Sequence, residues 1–486
     1  MARRVTAPVA PGVNHRILPG PVVSESWIAW LEAGQQALEA GRFPEAIAAF
    51  TGVRDALPGD ASIAVALANV YRLSGDIILA RASLHTAFAT AVWTDPHVAF
   101  TLGSALLDTG AAFEAAECFE HVVSLLPHNA AALGALAGAR RTLGDPTTAW
   151  SLIQRAVAEA PEDPALLLTA AQVRHDHGDI DGALHWLDRA DAKRPNHAPT
   201  QIQRAYSLLL RGASCTAWAA FEARPLPSPK TAARPWNGES LQGASVLVTA
   251  EQGVGDQFQF LRFVGHLTER GAARVVVECH ADAVRLLVAN GYNAVARGAP
   301  PETHWHVPLL SLPHRLGLDT DVCDDRVPYL RAPAFSTTTR ESSARRIGLV
   351  WAGNSAFPGR VTRDLDPALL PAIVATNGIE WVSLQHGEAG TVSLPRLTRI
   401  TVSSDWAATA DVLATLDGLV TTDTGIAHLA GAMGVRCWVM LQRVPDWRWG
   451  LTGHQSAWYP TLRLVRQLRW RDWQTVVTQL KKAVLE

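Results

Sequence analysis

Two short stretches hold the residue types from which a displacement reaction could be built. The first is Glu251-Gln252-Gly253-Val254-Gly255-Asp256, a glycine turn between an apolar run and a helical pattern, where backbone can come close to a ligand. Its Asp256 has two readings from the residues alone: a helix N-cap contributing about 1 kcal/mol, or a general base that takes a proton. The second is Thr421-Thr422-Asp423-Thr424-Gly425, which follows another apolar run and opens a helix containing Ile426, Ala427, His428, Leu429 and Ala430. A helix start offers unpaired N–H groups and partial positive charge, which suit a leaving diphosphate, while the Asp423 or Thr424 side chain either caps the helix or holds a ribose. The first stretch is not a dinucleotide fingerprint. Phe258 stands where the third glycine would be, and Asp256 would repel a pyrophosphate at that helix end.

Other clusters point to no metal. Asp319-Thr320-Asp321 and Asp364-Leu365-Asp366 have the D-x-D spacing of metal sites, yet neither directly follows a strand, and both read as solvated loop carboxylates. His304, His306 and His314 lack a cysteine or carboxylate that would complete a tetrahedral set, so they read as cleft or surface residues. Trp447 and Trp449 either offer an aromatic face to a sugar or base, or pack in a core.

The elements that must position these residues fall into two halves. Gly110, Gly144 and Gly178 recur every 34 residues, with Ala115, Ala149 and Ala183 and then Pro127, Pro161 and Pro195 in fixed phase. Glycine at positive φ ends one helix, alanine lets two helices approach, and proline ends the second, so each unit is a helical hairpin. Gly41, Ala46, Phe50 and Pro58 form an earlier unit, Gly75 and Ala80 another without proline at position 92, and Gly212, Ala217 and Phe221 a last, incomplete one. The period and signature resemble the tetratricopeptide repeat over residues 25–224, with five repeats and a terminal hairpin after an N-terminal tail of residues 1–24. Stacked hairpins of this kind create a concave groove that suits a protein segment.

Pro225 to Pro235 reads as a stiff, proline-rich connector. Beyond it, apolar β-branched runs at 245–250 and 273–279 alternate with helical patterns at 257–270 and 281–290, and a second series of runs lies at 346–351, 379–385, 418–422 and 435–441. Such punctuation predicts parallel strands buried on both faces, in two Rossmann-like lobes with ligand between them.

With the motifs and lobes in place, EQGVGDQFQFLRF and TTDTGIAHLAGAMG are similar to the paired motifs of family 9 glycosyltransferases, the heptosyltransferase group, in the form found in bacterial tetratricopeptide-repeat glycosyltransferases. LVWAGN at 349–354, WVSLQ at 381–385 and VPDWRWG at 444–450 follow in that group's order, and the resemblance runs from Pro235 to the C-terminus. It implies a multidomain chain: an all-α tetratricopeptide solenoid, then an α/β GT-B fold with an acceptor lobe at 225–340 and a donor lobe at 341–486. It implies a metal-independent, inverting transfer with Asp256 as base. Asn354, Arg363, Gln385, Asp423, Thr424, Gly425 and His428 would bind the donor, with Arg360 an alternative to Arg363. Gln252, Gly253, Gly255, Gln257, Trp447 and Trp449 would line the acceptor or sugar cleft. His386 stands where relatives carry lysine.

The implied co-substrate is a nucleotide-sugar, either a hexose on a diphosphate or a nonulosonic acid on cytidine monophosphate, with no cofactor. The implied acceptor is a protein Ser or Thr hydroxyl held by the repeats, flagellin first, because some repeat-bearing members act on it. A glycan-elongating transferase of lipopolysaccharide or capsule assembly, or a non-catalytic repeat scaffold, are the alternatives. Bulk properties agree with a cytoplasmic enzyme. Lysine and arginine total 43 against 45 acidic residues, which gives no field for nucleic acid. Cys118, Cys215, Cys279, Cys323 and Cys437 form no C-x-x-C pair, as in a reducing compartment. Arg3 and Arg4 precede Pro8, Pro11, Asn14 and His15 rather than an apolar segment, and no 18-residue apolar run predicts membrane insertion.

Overall fold

The structure, a computed structural model, describes every residue except 1–25, 91–94, 213, 227–229, 299, 319–326, 335–343, 354–359 and 401–404. The chain divides into two compact units, Met1–His121 and Val122–Glu486. Among the described residues, no helix is long and apolar enough to cross a membrane.

The first unit is helical. Ser26–Glu39 pairs with Phe43–Ala56, Ala61–Ser74 with Ile77–Thr90, and Pro96–Asp108 leads into Ala112–Leu125, the helix in which the division at His121 falls. The turn glycines Gly41, Gly75 and Gly110 take φ of 70, 90 and 83°. At each, the amide one residue beyond reaches back across the helix end, as Asp76 N does to Tyr71 O at 2.8 Å, which satisfies carbonyls the helix leaves open. Ala37, Ala46, Phe50, Leu67 and Val70 form this unit's core.

The second unit begins with three more hairpins: Ala130–Thr142 with Pro146–Glu159, Pro164–Asp176 with Ile180–Lys193, and Ala198–Arg211 with Cys215–Phe221. Gly144 and Gly178 again sit at positive φ, 74 and 81°, and Asp145 and Asp179 cap the helices that follow by accepting from Thr148 N at 3.1 Å and Gly182 N at 3.0 Å. The phase-locked alanines Ala46, Ala80, Ala115, Ala149, Ala183 and Ala217 are all fully buried, as close helix approach requires. Gly212 departs from the pattern. Its φ of 161° is extended, and Ser214 starts the next helix by accepting from Ala217 N at 3.3 Å.

Two parallel sheets follow. The first comprises β1 (Arg234–Pro235), β2 (Ser245–Thr249), β3 (Arg274–Cys279), β4 (Ala294–Ala296) and β5 (Trp305–Pro308), in the order β1-β5-β2-β3-β4. The second comprises β6 (Arg345–Val350), β7 (Ile379–Ser383), β8 (Leu397–Arg399), β9 (Gly418–Thr422), β10 (Cys437–Leu441) and β11 (Leu462–Arg466), in the order β11-β10-β9-β6-β7-β8. β2, β3, β6, β7, β9 and β10 lie on the apolar runs, and β9 and β10 are buried throughout. The connector is shorter than its composition suggests. Arg234 and Pro235 pair with Trp305 and His306, which Pro235 can do because β1 is an edge strand. The long helix expected at 257–270 starts earlier, at Val254, and breaks into Val254–Phe260, a 3₁₀ turn at Leu261–Phe263, and Gly265–Glu269.

Within this second unit the hairpins pack directly on the sheets. Trp218 sits edge-on to Phe260 and Trp447, with ring centres 5.8 and 5.6 Å apart. Arg471 donates to the Leu143 carbonyl, and a Cβ at Gly144 would lie 2.7 Å from Thr362 Cγ2. Gly144→Ala therefore adds a steric collision to the cost of left-handed backbone, roughly 1–2 kcal/mol. Gly243 has the same backbone strain, φ 71°, but open space around it. Calorimetry is expected to show a clearly larger drop in melting temperature for Gly144→Ala than for Gly243→Ala, and equal drops would remove the Thr362 contact from the account.

Candidate functional site

Both chemistry-bearing stretches lie where a parallel sheet reverses its strand order. In the first sheet β2 has β3 on one side and β5 on the other, and in the second β6 separates β7 from β9. Loops leaving the carboxyl ends of such strands diverge and leave a crevice. Glu251 to Gly253 leave β2, Trp351 to Gly353 leave β6, and Asp423 and Thr424 leave β9. The two stretches meet. A Cβ at Gly255 would lie 2.9 Å from His428 Cδ2 and 3.1 Å from Gly425 Cα, so the lobes approach this closely only because both positions are glycine.

Asp256 is not an N-cap. Gly253 occupies that place, and Asp256, three residues on, reaches back so that Gly253 N donates to its Oδ2 at 2.8 Å. Its other oxygen receives Arg448 Nη2 from the second lobe. Arg448 is 8% exposed, donates through Nε to Gln259 Oε1 at 2.6 Å and through Nη1 to Asp446 Oδ1 at 2.8 Å, and lies over the Trp447 ring at 4.1 Å. Burial opposes its charge, but Asp446 and then Asp256 outweigh it, so its pKa stands above the ordinary arginine value.

The helix Gly425–Ala432 starts with no side chain on its first amides. Thr424 is the N-cap, and its hydroxyl pairs with Thr421 Oγ1 at 2.8 Å instead. Ala427 N donates to Thr424 O at 3.0 Å, and the Gly425 and Ile426 N–H groups, with no hydrogen bond among the described residues, stay available to an anion. His428 is buried, stacks on Trp449 at 5.1 Å and pairs through Nδ1 with the Tyr459 hydroxyl at 3.1 Å. Burial, then Arg448 and Arg262, holds it well below the usual histidine range, so it is a neutral imidazole. The other neutral partner of the helix tip is Asp423 at low pH. Its carboxyl is pushed up from 3.8 to about 6, first by burial and then by Asp446.

That shift gives a signed expectation. A carboxyl whose folded pKa is raised binds its proton more tightly in the folded chain, so stability falls as pH rises from 3.8 towards 6 and the penalty persists above 6. Asp423→Asn is expected to raise the melting temperature at pH 7.5 by a few degrees and to leave it nearly unchanged at pH 4. Equal shifts at both pH values would contradict the burial of this charge.

Several expected site residues do other work. Gln385 spends its whole amide on the loop after β6: Oε1 accepts from Trp351 N and Ala352 N, both at 2.9 Å, and Nε2 donates to Ala352 O and His386 O. It shapes the loop and has no group left for a donor. Gln257 is fully buried and ties the turn to the end of β3 by accepting from His280 N at 3.2 Å. Trp447 and Trp449 are 5% and 3% exposed and belong to the core, so neither presents a free face. Gln252 is exposed on the turn with φ 55°, a left-handed conformation costing a residue with a Cβ about 1 kcal/mol or more, and its carbonyl accepts from His280 Nε2 at 3.2 Å. Arg363 lies in the short helix Arg360–Arg363 with its guanidinium against Gly353, in the loop after β6, and its charge acts on Asp423. Asn354 lies outside the described residues.

The metal-like patterns resolve similarly. Asp364 accepts from Gly353 N at 3.1 Å and Asp366 from Ala368 N at 2.9 Å. His304 Nδ1 accepts from Ser245 N at 3.0 Å. Asp319 to Asp321, and Cys323, lie outside the described residues. Cys118, Cys279 and Cys437 are buried with their thiols pushed up by burial, while Cys215 is exposed.

The site also contains residues that motif reading passed over. Arg448 and Asp446 stand inside VPDWRWG, where the tryptophans drew attention. Arg262 is 3% exposed and joins the lobes, donating to Trp458 O at 3.0 Å and to the Tyr329 hydroxyl at 3.3 Å. Glu251 grips Arg224, the last residue after the hairpins, with Arg224 Nε and Nη2 donating at 2.9 and 2.6 Å, while Ser311 Oγ accepts from Nη2 and Glu222 Oε1 from Nη1.

Hairpins of 34-residue period joined to two parallel sheets with apposed crevice loops define a repeat protein with an α/β segment. The tetratricopeptide repeat family matches at residues 31–96 and 100–164 and at 140–209, so the helical segment consists of tetratricopeptide repeats. Protein FlbA of Caulobacter vibrioides is 22% identical over 505 residues, covering 91% of this chain and 82% of that protein. Among solved structures, a tetratricopeptide repeat protein from Parabacteroides merdae is 15% identical, covering 41% of this chain and 78% of its own with a TM-score of 0.36. PilF of Pseudomonas aeruginosa is 17% identical, covering 40% and 89% with a TM-score of 0.32. At these scores neither structure carries an argument about the α/β segment.

Proposed function

We propose that the chain is a metal-independent, inverting glycosyltransferase of GT-B type that moves a sugar from a nucleotide-sugar to a protein Ser or Thr hydroxyl, with flagellin the first acceptor to try. The observation that carries this reading is the contact of Gly255 with Gly425 and His428, which sets the Asp256 turn of one lobe against an uncapped helix tip of the other. An inverting displacement needs this division, with a base on the acceptor side and charge stabilisation on the leaving-group side. The acceptor oxygen attacks the anomeric carbon as Asp256 takes its proton. The sugar–phosphate bond breaks, and its electron pair leaves with the phosphate towards the first amides of the helix Gly425–Ala432 and the Arg363 guanidinium. Arg448 holds the Asp256 carboxylate in place through this step. Repeats in front of the lobes favour a protein acceptor, since a small glycan would need no such surface.

The test is incubation of the full chain with unglycosylated flagellin and a panel of uridine, guanosine and adenosine diphosphate hexoses and cytidine monophosphate acid sugars, read by intact-protein mass. A mass increase of one sugar with one donor class is the expected result. Sugar transferred only to a glycan acceptor would favour the elongating alternative.

A further inference from the structure

The hairpins of the second unit contribute to the candidate site as well as supporting it. The helix Ala198–Arg211 packs against the Trp447–Trp449 turn. From it Tyr206 places its ring 6.0 Å from that of Phe221, Phe221 lies 6.4 Å from Trp447, and Trp447 carries the Arg448 guanidinium over its face. A run of rings thus leads from the repeat to the cation that holds Asp256. The next residue, Ser207, is fully buried and pairs with His175 Nδ1 at 3.0 Å, which fixes the face of the helix on which Tyr206 stands.

Tyr206 is half-buried, and no hydrogen bond of its hydroxyl is found among the described residues. That hydroxyl is not sealed from solvent, so it is open to a polar group of an incoming ligand. The charges that act on it are those of Asp446, Arg448 and Asp256, followed by Arg224. Burial comes first and keeps the phenol protonated, so it is a donor. It belongs to a repeat helix, whereas the helix tip that would take phosphate belongs to the second lobe.

We propose that Tyr206 is an acceptor-binding residue of this site, donating its phenolic O–H to the polypeptide whose hydroxyl Asp256 deprotonates. This rests on the reading of the site as a protein-directed transferase. A repeat residue then touches substrate at the reacting centre, and the repeats act in placing the hydroxyl as well as in recruiting the protein that bears it.

The experiment uses the full chain, wild type and Tyr206→Phe, with the same donor panel and unglycosylated flagellin. Nucleotide release without acceptor and transfer at varied acceptor concentration are both measured. Losing one neutral hydrogen bond is expected to raise the acceptor KM by roughly 3- to 10-fold, with kcat and acceptor-free nucleotide release within about 2-fold of wild type. Tyr206→Ala is expected to raise KM further, but Tyr206→Phe decides, because it keeps the ring packing. An unchanged acceptor KM in Tyr206→Phe, or a fall in kcat alone, overturns the assignment while leaving the transferase reading intact. A wild-type chain that neither releases nucleotide nor transfers sugar with any pair overturns both.

Discussion

Arg224→Met is expected to destabilise the second unit by about 3–5 kcal/mol, the cost of leaving a buried charge without its partner. Arg224 is 4% and Glu251 4% exposed, and the two are joined by a pair of charge-assisted hydrogen bonds, with Ser311, the Leu310 amide, the Glu222 carboxylate and the Phe221 carbonyl filling the remaining positions. Methionine covers similar apolar surface but leaves the Glu251 carboxylate facing the core cluster around Phe221 and Leu310. Urea denaturation followed by tryptophan fluorescence measures the loss. The double variant Arg224→Met, Glu251→Leu is expected to recover most of it, since the desolvation of two charges is relieved together. A single variant that loses less than about 1 kcal/mol would show that water reaches the pair.

The same contact explains where sequence reading of the domains stops. Proline-rich composition from Pro225 suggests a boundary between repeats and lobes, and composition is a sound guide to where a helix ends. It says nothing of what the residue before it touches. Arg224 bonds to Glu251 across the connector, Arg471 bonds to Leu143, and Thr362 lies on Gly144, so the hairpins from Ala130 onward are built into the body that holds the sheets. Removing residues 1–224 would strand a buried glutamate. It would not isolate the acceptor role proposed for the repeats, which is better tested by point variants in the full chain.

What was legible depended on locality. The 34-residue period and the β-branched runs are patterns within short windows, and the hairpins and the central strands of both sheets lie where these patterns put them. β1, β4 and β8 are two or three residues long and have no period to detect. Within the site, the glycines at 255 and 425 were found because a turn followed by a helix is local. The Arg448 partnership was not, because Asp256 is 192 residues away along the chain. Large rings draw the eye in VPDWRWG, yet rings of that size are usually buried. The charged residues between them, Asp446 and Arg448, carry the polar geometry. Gln385 went astray for a related reason: a polar residue at the end of an apolar strand looks available until the open amides of the neighbouring loop are counted.

Asp256→Asn is expected to lower kcat for sugar transfer by about 10²–10⁴-fold, the usual contribution of a positioned general base, with donor binding retained. Asparagine keeps one acceptor oxygen for Gly253 N or Arg448 Nη2 and turns an NH2 towards the other, while Arg448 retains Asp446 and Gln259 as partners. What it cannot do is take a proton from an attacking hydroxyl. Two measurements separate this from a structural effect. The melting temperature of the variant should stay within a few degrees of wild type, and a nucleotide at 100 times its dissociation constant should still add about 2.7 kcal/mol of stability. If transfer falls while both hold, the carboxylate acts in the chemical step. If Asp256→Asn transfers sugar at the wild-type rate, Asp256 is an element of the lobe contact alone and the base must be sought elsewhere. A variant indistinguishable from wild type because neither turns over any donor would favour the scaffold alternative, in which the apposed loops bind nucleotide without using it. Arg448 sharpens the distinction. A carboxylate held only for structure loses little when its neighbour changes, whereas a base oriented by a guanidinium should show Arg448→Lys lowering kcat more than it raises donor KM, because an ammonium cannot reproduce the fork that spans Asp256, Asp446 and Gln259.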